Sequence, residues 1–227
     1  FNCLSQNKAQ SENYPFCTID PNVSIVNVPD LRLDKLSSLI NPQKLIPTTV
    51  KIVDIAGLVK GASKGEGLGN KFLSNIRETD AIIHVLRCFD DPNIVHVDGK
   101  INPLSDKEVV EYELVLKDIE IIEKRLDRIK KTLRSGSNES KKEIEILEKA
   151  LYQLQKMNAS RNDFSDDQFD EFIKPLELIS FKPVLYVCNV GENDVTTGNS
   201  YVEDVRREIE NKDSEIIIIS AKIESEI

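Results

Sequence analysis

The sequence predicts an α/β fold: a mostly parallel sheet with an inserted antiparallel helical hairpin. Three observations carry this. Apolar runs of strand length recur at 49–55, 81–89, 183–189 and 215–220, and continuously apolar strands are what a parallel sheet buries on both faces. Segments of helical character separate several of these runs. Between 107 and 164 the apolar period changes to a heptad.

Taken in order, residues 23–28 alternate like a half-buried strand, and Pro29-Asp30 ends it. Asp34 to Ile40 reads as a short helix stopped by Asn41-Pro42. The strand at 49–55 delivers Asp54 into a glycine-rich loop, 57–69. A helix over 70–79 carries Phe72, Leu73 and Ile76 on one side, and the strand at 81–89 follows. Tyr112, Val115, Ile119, Ile122, Leu126, Ile129 and Leu133 then repeat at alternating spacings of 3 and 4, with charges at most other positions. After a polar turn at 134–140, Ile144, Leu147, Leu151 and Leu154 repeat the spacing. Two heptad helices joined by a short turn read as a protruding coiled-coil hairpin. Two ordinary domain helices are the alternative. Residues 165–174 predict one more helix, ended by Pro175. A helix over 201–210 links the last two strands. The domain division is therefore 1–106 with 165–227 for the α/β domain and 107–164 for the helical insertion.

The 227 residues suffice for one large domain or one domain with an insertion. A net charge of −9 argues against bulk affinity for nucleic acid or an anionic membrane surface, and no direct DNA binding is expected. No apolar run approaches the roughly 20 residues of a membrane span. Cys3, Cys17, Cys88 and Cys188 form no C-x-x-C pair, so neither a zinc nor a redox motif is read from them. Cys88 and Cys188 sit in apolar runs as reduced core cysteines, which fits a reducing, cytoplasmic compartment.

The chemistry lies at strand ends. Asp54 stands at the carboxyl end of its strand, where open α/β sheets bind ligands, and Asp-Ile-Ala-Gly ends in Gly57. A carboxylate there can hold Mg2+ through a water while the Gly57 N–H reaches a γ-phosphate. Capping of the following turn is the plainer role for Asp54. Asn189-Val190-Gly191-Glu192 ends the next-to-last strand and Ser220-Ala221-Lys222 the last. In this order, downstream of Asp-x-x-Gly, they match the loops with which GTPases read a base: the asparagine ties the loops, the acid accepts from the guanine edge, and the alanine N–H meets its carbonyl. Upstream, Thr18 in Asn13-Tyr-Pro-Phe-Cys-Thr-Ile-Asp-Pro21 can place its hydroxyl on Mg2+ as a first switch, or is a turn threonine beside two prolines.

The stretches "NYPFCTIDPNV", "VDIAGLVKGASKGEGLGNKFLSNIRETDAIIHVLRCF", "NIVHVDGKINP" and "NVGE" resemble the YchF/Obg-like ATPase family. The resemblance spans nearly the whole chain. It implies a Ras-like P-loop NTPase domain, a coiled-coil insertion, a C-terminal TGS domain, Mg2+-dependent hydrolysis of ATP or GTP with ATP preferred, and association with the ribosome (its large subunit) in translation or stress responses. It assigns Thr18 and Asp54 to the metal, Gly57 to the γ-phosphate, and Asn189, Val190, Glu192, Ser220, Ala221 and Lys222 to the base. Leu58 falls where many GTPases place a water-orienting glutamine, and leucine cannot hold a water. His96, in a loop past a strand end, is the candidate for that work, since imidazole orients or accepts from water near neutral pH. An exposed loop histidine is the plainer reading, and a backbone carbonyl or K+ in the switch region is the other means of catalysis. His84, inside a strand, reads as structural.

The chain contains no Gly-x-x-x-x-Gly-Lys-Ser/Thr. In the resembled family a Phe-Asn pair follows that loop, and this chain opens with Phe1-Asn2. The reading is therefore of part of a longer protein: first strand and phosphate loop outside the chain, a sheet short of its central strand, and weak or no hydrolysis by the chain alone. A non-catalytic nucleotide-fold module that binds a partner through its coiled coil is the alternative function.

Overall fold

The computed structural model describes residues 1, 4, 22–55, 68–94, 99–132, 138–209 and 214–226. The chain divides into two compact units, one of Phe1–Gly57 with Glu224–Ile227 and one of Leu58–Ile223.

The first unit is built on an antiparallel ladder. Strand β1 (Asn22–Asn27) pairs with β2 (Thr49–Asp54), in a register that sets Asn22 opposite Asp54 and Asn27 opposite Thr49. The alternation in β1 is real but inverted from what its apolar residues suggest. Ser24 is buried, whereas Val23 and Ile25 are 45% and 71% exposed. Helix α1 (Leu31–Ile40) starts where Asp30, as N-cap, accepts from the Arg32 N–H at 2.9 Å. It stops at Asn41, which adopts φ 49 and returns its N–H to Ser37 O. The Asn41-Pro42 stop is thus a left-handed cap followed by a residue that cannot continue a helix.

The second unit holds a three-stranded parallel sheet in the order β3 (Ile82–Cys88), β4 (Val184–Val190), β5 (Glu215–Ile219). Among the described residues the five strands therefore form two sheets, with the parallel one at three strands. Its buried face carries Leu86, Cys88, Tyr186, Cys188 and Val190, packed against Val202, Val205 and Ile209 of α6 (Ser200–Ile209). The other face is not covered throughout: Ile83, Val85 and Ile217 are 52%, 59% and 43% exposed. Cys88 and Cys188 are both buried and free. Their mutual hydrogen bond, and then burial, pushes the Cys88 thiol up, so it stays protonated. Helix α2 (Leu68–Arg77) precedes β3 and buries Leu73.

The insertion forms α3 (Pro103–Thr132) and α4 (Asn138–Gln155). Most of the predicted stripe is packed: Val115, Ile122, Leu126, Ile129, Leu147 and Leu154 are buried, and Ile119, Ile144 and Leu151 pack beside them, while Leu133 lies outside the described residues. Tyr112, at the start of the stripe, is exposed. The two helices do not close this core alone. Phe164, Phe172, Ile173, Leu178 and Phe181 from the returning chain complete it. That segment is no single helix. A turn of α5 (Asp166–Gln168), opened by a Ser165 capping box, passes into a π turn (Phe169–Ile173) and then a 3-10 turn (Lys174–Leu176). Pro175 does not end the path. It fits the first turn of a new short helix, where an N–H has no intrahelical partner anyway.

Two buried charges anchor α3. Asp118, fully buried, accepts from the N–H groups of Ile179 and Ser180 at 3.0 and 2.6 Å. Lys107, 1% exposed, pairs with Glu111 at 2.9 Å, and Glu111 in turn accepts from the Tyr186 hydroxyl at 2.6 Å. A buried cation needs such a partner, because desolvation otherwise outweighs packing. Among the described residues no helix is long and apolar enough to cross a membrane.

Candidate functional site

The parallel register of β4 on β5 sets Asn189 opposite Ile219, so both strands end level. A side chain from one end can then meet the backbone that leaves the other. Asn189 Oδ1 accepts from the Ala221 N–H at 2.9 Å, at the start of α7 (Ala221–Glu226). One residue further, the Lys222 ammonium is ion-paired with the Glu192 carboxylate. Glu192 opens a short 3-10 turn, Glu192–Asp194, beyond Gly191. Ser220 is 2% exposed beneath this joint. The structure thus brings together Asn189, Glu192, Ser220, Ala221 and Lys222, five of the six residues expected around a base. The sixth, Val190, faces the other way. At 2% exposed it lies in the core cluster with Cys88, Cys188 and Val202. Strand alternation explains this: neighbours along a strand point to opposite faces, so Asn189 at the joint puts Val190 into the core.

Asp54 is the last residue of β2, partly buried, opposite Asn22. Thr18, Gly57, Leu58 and His96 lie outside the described residues. The donors predicted for a metal, a carboxylate and a hydroxyl, are hard oxygen ligands of the kind Mg2+ takes.

Several residues that the sequence reading passed over organise the neighbouring loops. Arg87, at the end of β3, donates Nε to Phe89 O at 3.2 Å, Nη1 to Ile94 O at 3.1 Å and Nη2 to Asp91 O at 3.3 Å. It also stacks on the Phe89 ring at 4.9 Å. The Asp91 carboxylate accepts from the Asn93 N–H at 2.8 Å. The stretch leading toward His96 is therefore pinned as far as Ile94. Asn199 joins this loop to the one after β4. Its Nδ2 donates to Cys88 O at 2.8 Å and to Asp194 Oδ2 at 3.0 Å, and its Oδ1 accepts from Val202 N at 3.2 Å. Gly198, at φ +74, gives the turn that aims Asn199 inward. The Tyr201 hydroxyl donates to the Asp90 carboxylate, which raises the phenol's pKa. The available signals were an arginine inside the apolar run Ile82–Cys88 and an asparagine one position ahead of a helix.

The model of the family described as 50S ribosome-binding GTPase matches residues 1–149. The ribosome-binding ATPase YchF of Bacillus subtilis (strain 168) is 49% identical over 230 residues, covering 100% of this chain and 63% of that protein. The ribosome-binding ATPase YchF of Haemophilus influenzae is 46% identical, covering 100% of this chain and 62% of that protein. The chain thus spans somewhat less than two thirds of the length of these relatives. Among solved structures, that of the Schizosaccharomyces pombe YchF GTPase superposes with a TM-score of 0.76 at 37% identity, covering 94% of this chain and 59% of that one.

Proposed function

Since the chain belongs to the 50S ribosome-binding GTPase family, and among its members to the YchF/Obg-like ATPases, we propose that it forms the nucleotide-binding part of a Mg2+-dependent hydrolase that prefers ATP to GTP and works on the ribosome. The observation that carries this reading is the joint between β4 and β5. Asn189 locks Ala221, and Glu192 and Lys222 meet beside them, at carboxyl strand ends where α/β sheets take ligands.

In this reading the base lies against Asn189, Glu192, Ser220, Ala221 and Lys222, while Val190 packs the sheet beneath. Asp54 and Thr18 hold Mg2+, which supplies charge neutralisation on the phosphates when bound. The Gly57 N–H contacts the γ-phosphate, and Leu58, in the place of a water-orienting glutamine, holds no water. His96 orients the attacking water and accepts its proton, and Arg87 fixes the backbone that leads to it. The nucleotide domain is 1–106 with 165–227, and the insertion 107–164 is a coiled-coil arm toward the large ribosomal subunit. The compartment is the cytoplasm. The sequence contains no Gly-Lys-Ser/Thr, and such a loop supplies the N–H groups and lysine that grip phosphates. The chain by itself is accordingly a weak hydrolase. The second reading is a non-catalytic module whose hairpin binds a partner.

The test uses the whole protein that carries this chain. ATP and GTP are titrated with and without Mg2+, and hydrolysis is followed for the parent and His96→Ala. ATP binds more tightly, Mg2+ strengthens it, and His96→Ala loses about a hundredfold or more in kcat. Failure of both nucleotides to bind would sink the enzyme reading in favour of the module. Parent-rate hydrolysis by His96→Ala would remove the histidine and leave a carbonyl or K+ for the role.

A further inference from the structure

Guanine and adenine differ along one edge. Guanine presents O6 as an acceptor with N1–H and N2–H2 as donors, whereas adenine presents N6–H2 as a donor with N1 as an acceptor. A site that selects guanine therefore needs a free N–H for O6 and a free carboxylate for the two donors. Both groups exist here, and both are already committed inside the protein. The Ala221 N–H donates to Asn189 Oδ1 at 2.9 Å. The Glu192 carboxylate is held by the Lys222 ammonium. Guanine would have to break two internal bonds to make its own. Each broken polar contact costs affinity unless the new one replaces it fully.

We propose that Lys222 is the specificity-determining residue of this site: by engaging Glu192 it withholds the acceptor that guanine requires and sets a cation in its place. Adenine loses nothing by this, because its N1 has no proton to offer a carboxylate. This rests on the reading that the base lies between the β4 and β5 loops, and it names how that site chooses its purine. The extra methylene of Glu192, compared with an aspartate, is part of the device. It lets the carboxylate reach a lysine that follows Ala221 directly in the chain. Both side chains are partly solvent-exposed, at 69% for Lys222 and 47% for Glu192, so the pair is screened and its effect modest.

The test measures Kd for ATP and for GTP, each with Mg2+, on the whole protein carrying this chain. The variants are Lys222→Met, Lys222→Arg and Lys222→Met with Glu192→Gln. Lys222→Met frees the carboxylate and moves the ATP-to-GTP affinity ratio toward GTP by about three- to fivefold, mainly through tighter GTP binding. Lys222→Arg keeps a cation and keeps the parent ratio. The double variant loses the gain, because glutamine is a poorer acceptor for two donors. A parent that discriminates between the nucleotides while Lys222→Met leaves their ratio unchanged overturns the proposal alone. A parent that binds neither nucleotide overturns the base-site reading and the proposal with it.

Discussion

Asn189 shows what a short motif can and cannot say. Its place at a strand end, upstream of Ser220-Ala221-Lys222, was legible, and it does reach the Ala221 N–H. The Glu192–Lys222 pair was not legible, because it depends on side-chain reach across two loops rather than on spacing within one. Arg87 was visible as a charge in an apolar strand, but its three carbonyl partners were not. His84 reads as structural in the sequence, and its surroundings give it a pH signature. Its ring lies 5.7 Å from that of Tyr186, and the charges facing it are Glu111, Lys107 and Asp106. Burial lowers its pKa first, Glu111 and Asp106 pull it back up, and Lys107 adds to the lowering. The folded protein then binds fewer protons here than the unfolded chain does. The contribution is fully present above the ordinary histidine value of about 6.5 and is lost as pH falls below it toward the lowered folded value. The melting temperature falls between about pH 7 and pH 5, and His84→Phe flattens that fall. An equal slope in parent and variant would remove His84 from the account.

At the scale of elements, periodicity did most of the work. The heptad stripe located α3 and α4, because a 3.6-residue helix leaves only one face to bury. It could not locate the path from Arg161 to Phe181, where α, π and 3-10 turns succeed one another and no period lasts long enough to read. Asp118 anchors the end of that path. It appears in the sequence as one more charge between apolar positions, yet it accepts from two N–H groups 61 and 62 residues away. Burial raises its pKa, and the Ser180 and Ile179 N–H groups lower it in opposition. Asp118→Ala leaves those donors without a partner and costs about 2–3 kcal/mol in urea denaturation. Asp118→Asn, which keeps one acceptor oxygen, costs less. Should the alanine variant unfold at the parent's urea midpoint, the anchor role is wrong.

For the whole molecule, the strand runs were legible but their partners were not. An apolar strand carries no label for its neighbour, so β1 and β2 pairing in a ladder of their own could not be foreseen. That ladder has two strands with Val23, Ile25 and Val50 exposed, while β4 has a partner on each side. Two-stranded ladders are marginal in isolation. Amide exchange is therefore faster in Asn22–Asn27 and Thr49–Asp54 than in Val184–Val190, and equal protection by mass spectrometry would contradict this. The second unit also reaches far along the chain for its closures. The Lys182 ammonium adds a distant cap to α2: it donates to Ile76 O at 3.2 Å, which also accepts locally from the Thr79 N–H at 3.1 Å and hydroxyl at 2.7 Å, and to the carbonyls of Arg77 and Thr79. Ile76 and Lys182 are 106 positions apart. During synthesis the Thr79 bonds can close the last turn of α2 as soon as it emerges, whereas the ammonium that ties that turn to the sheet arrives only after the entire helical insertion has been made.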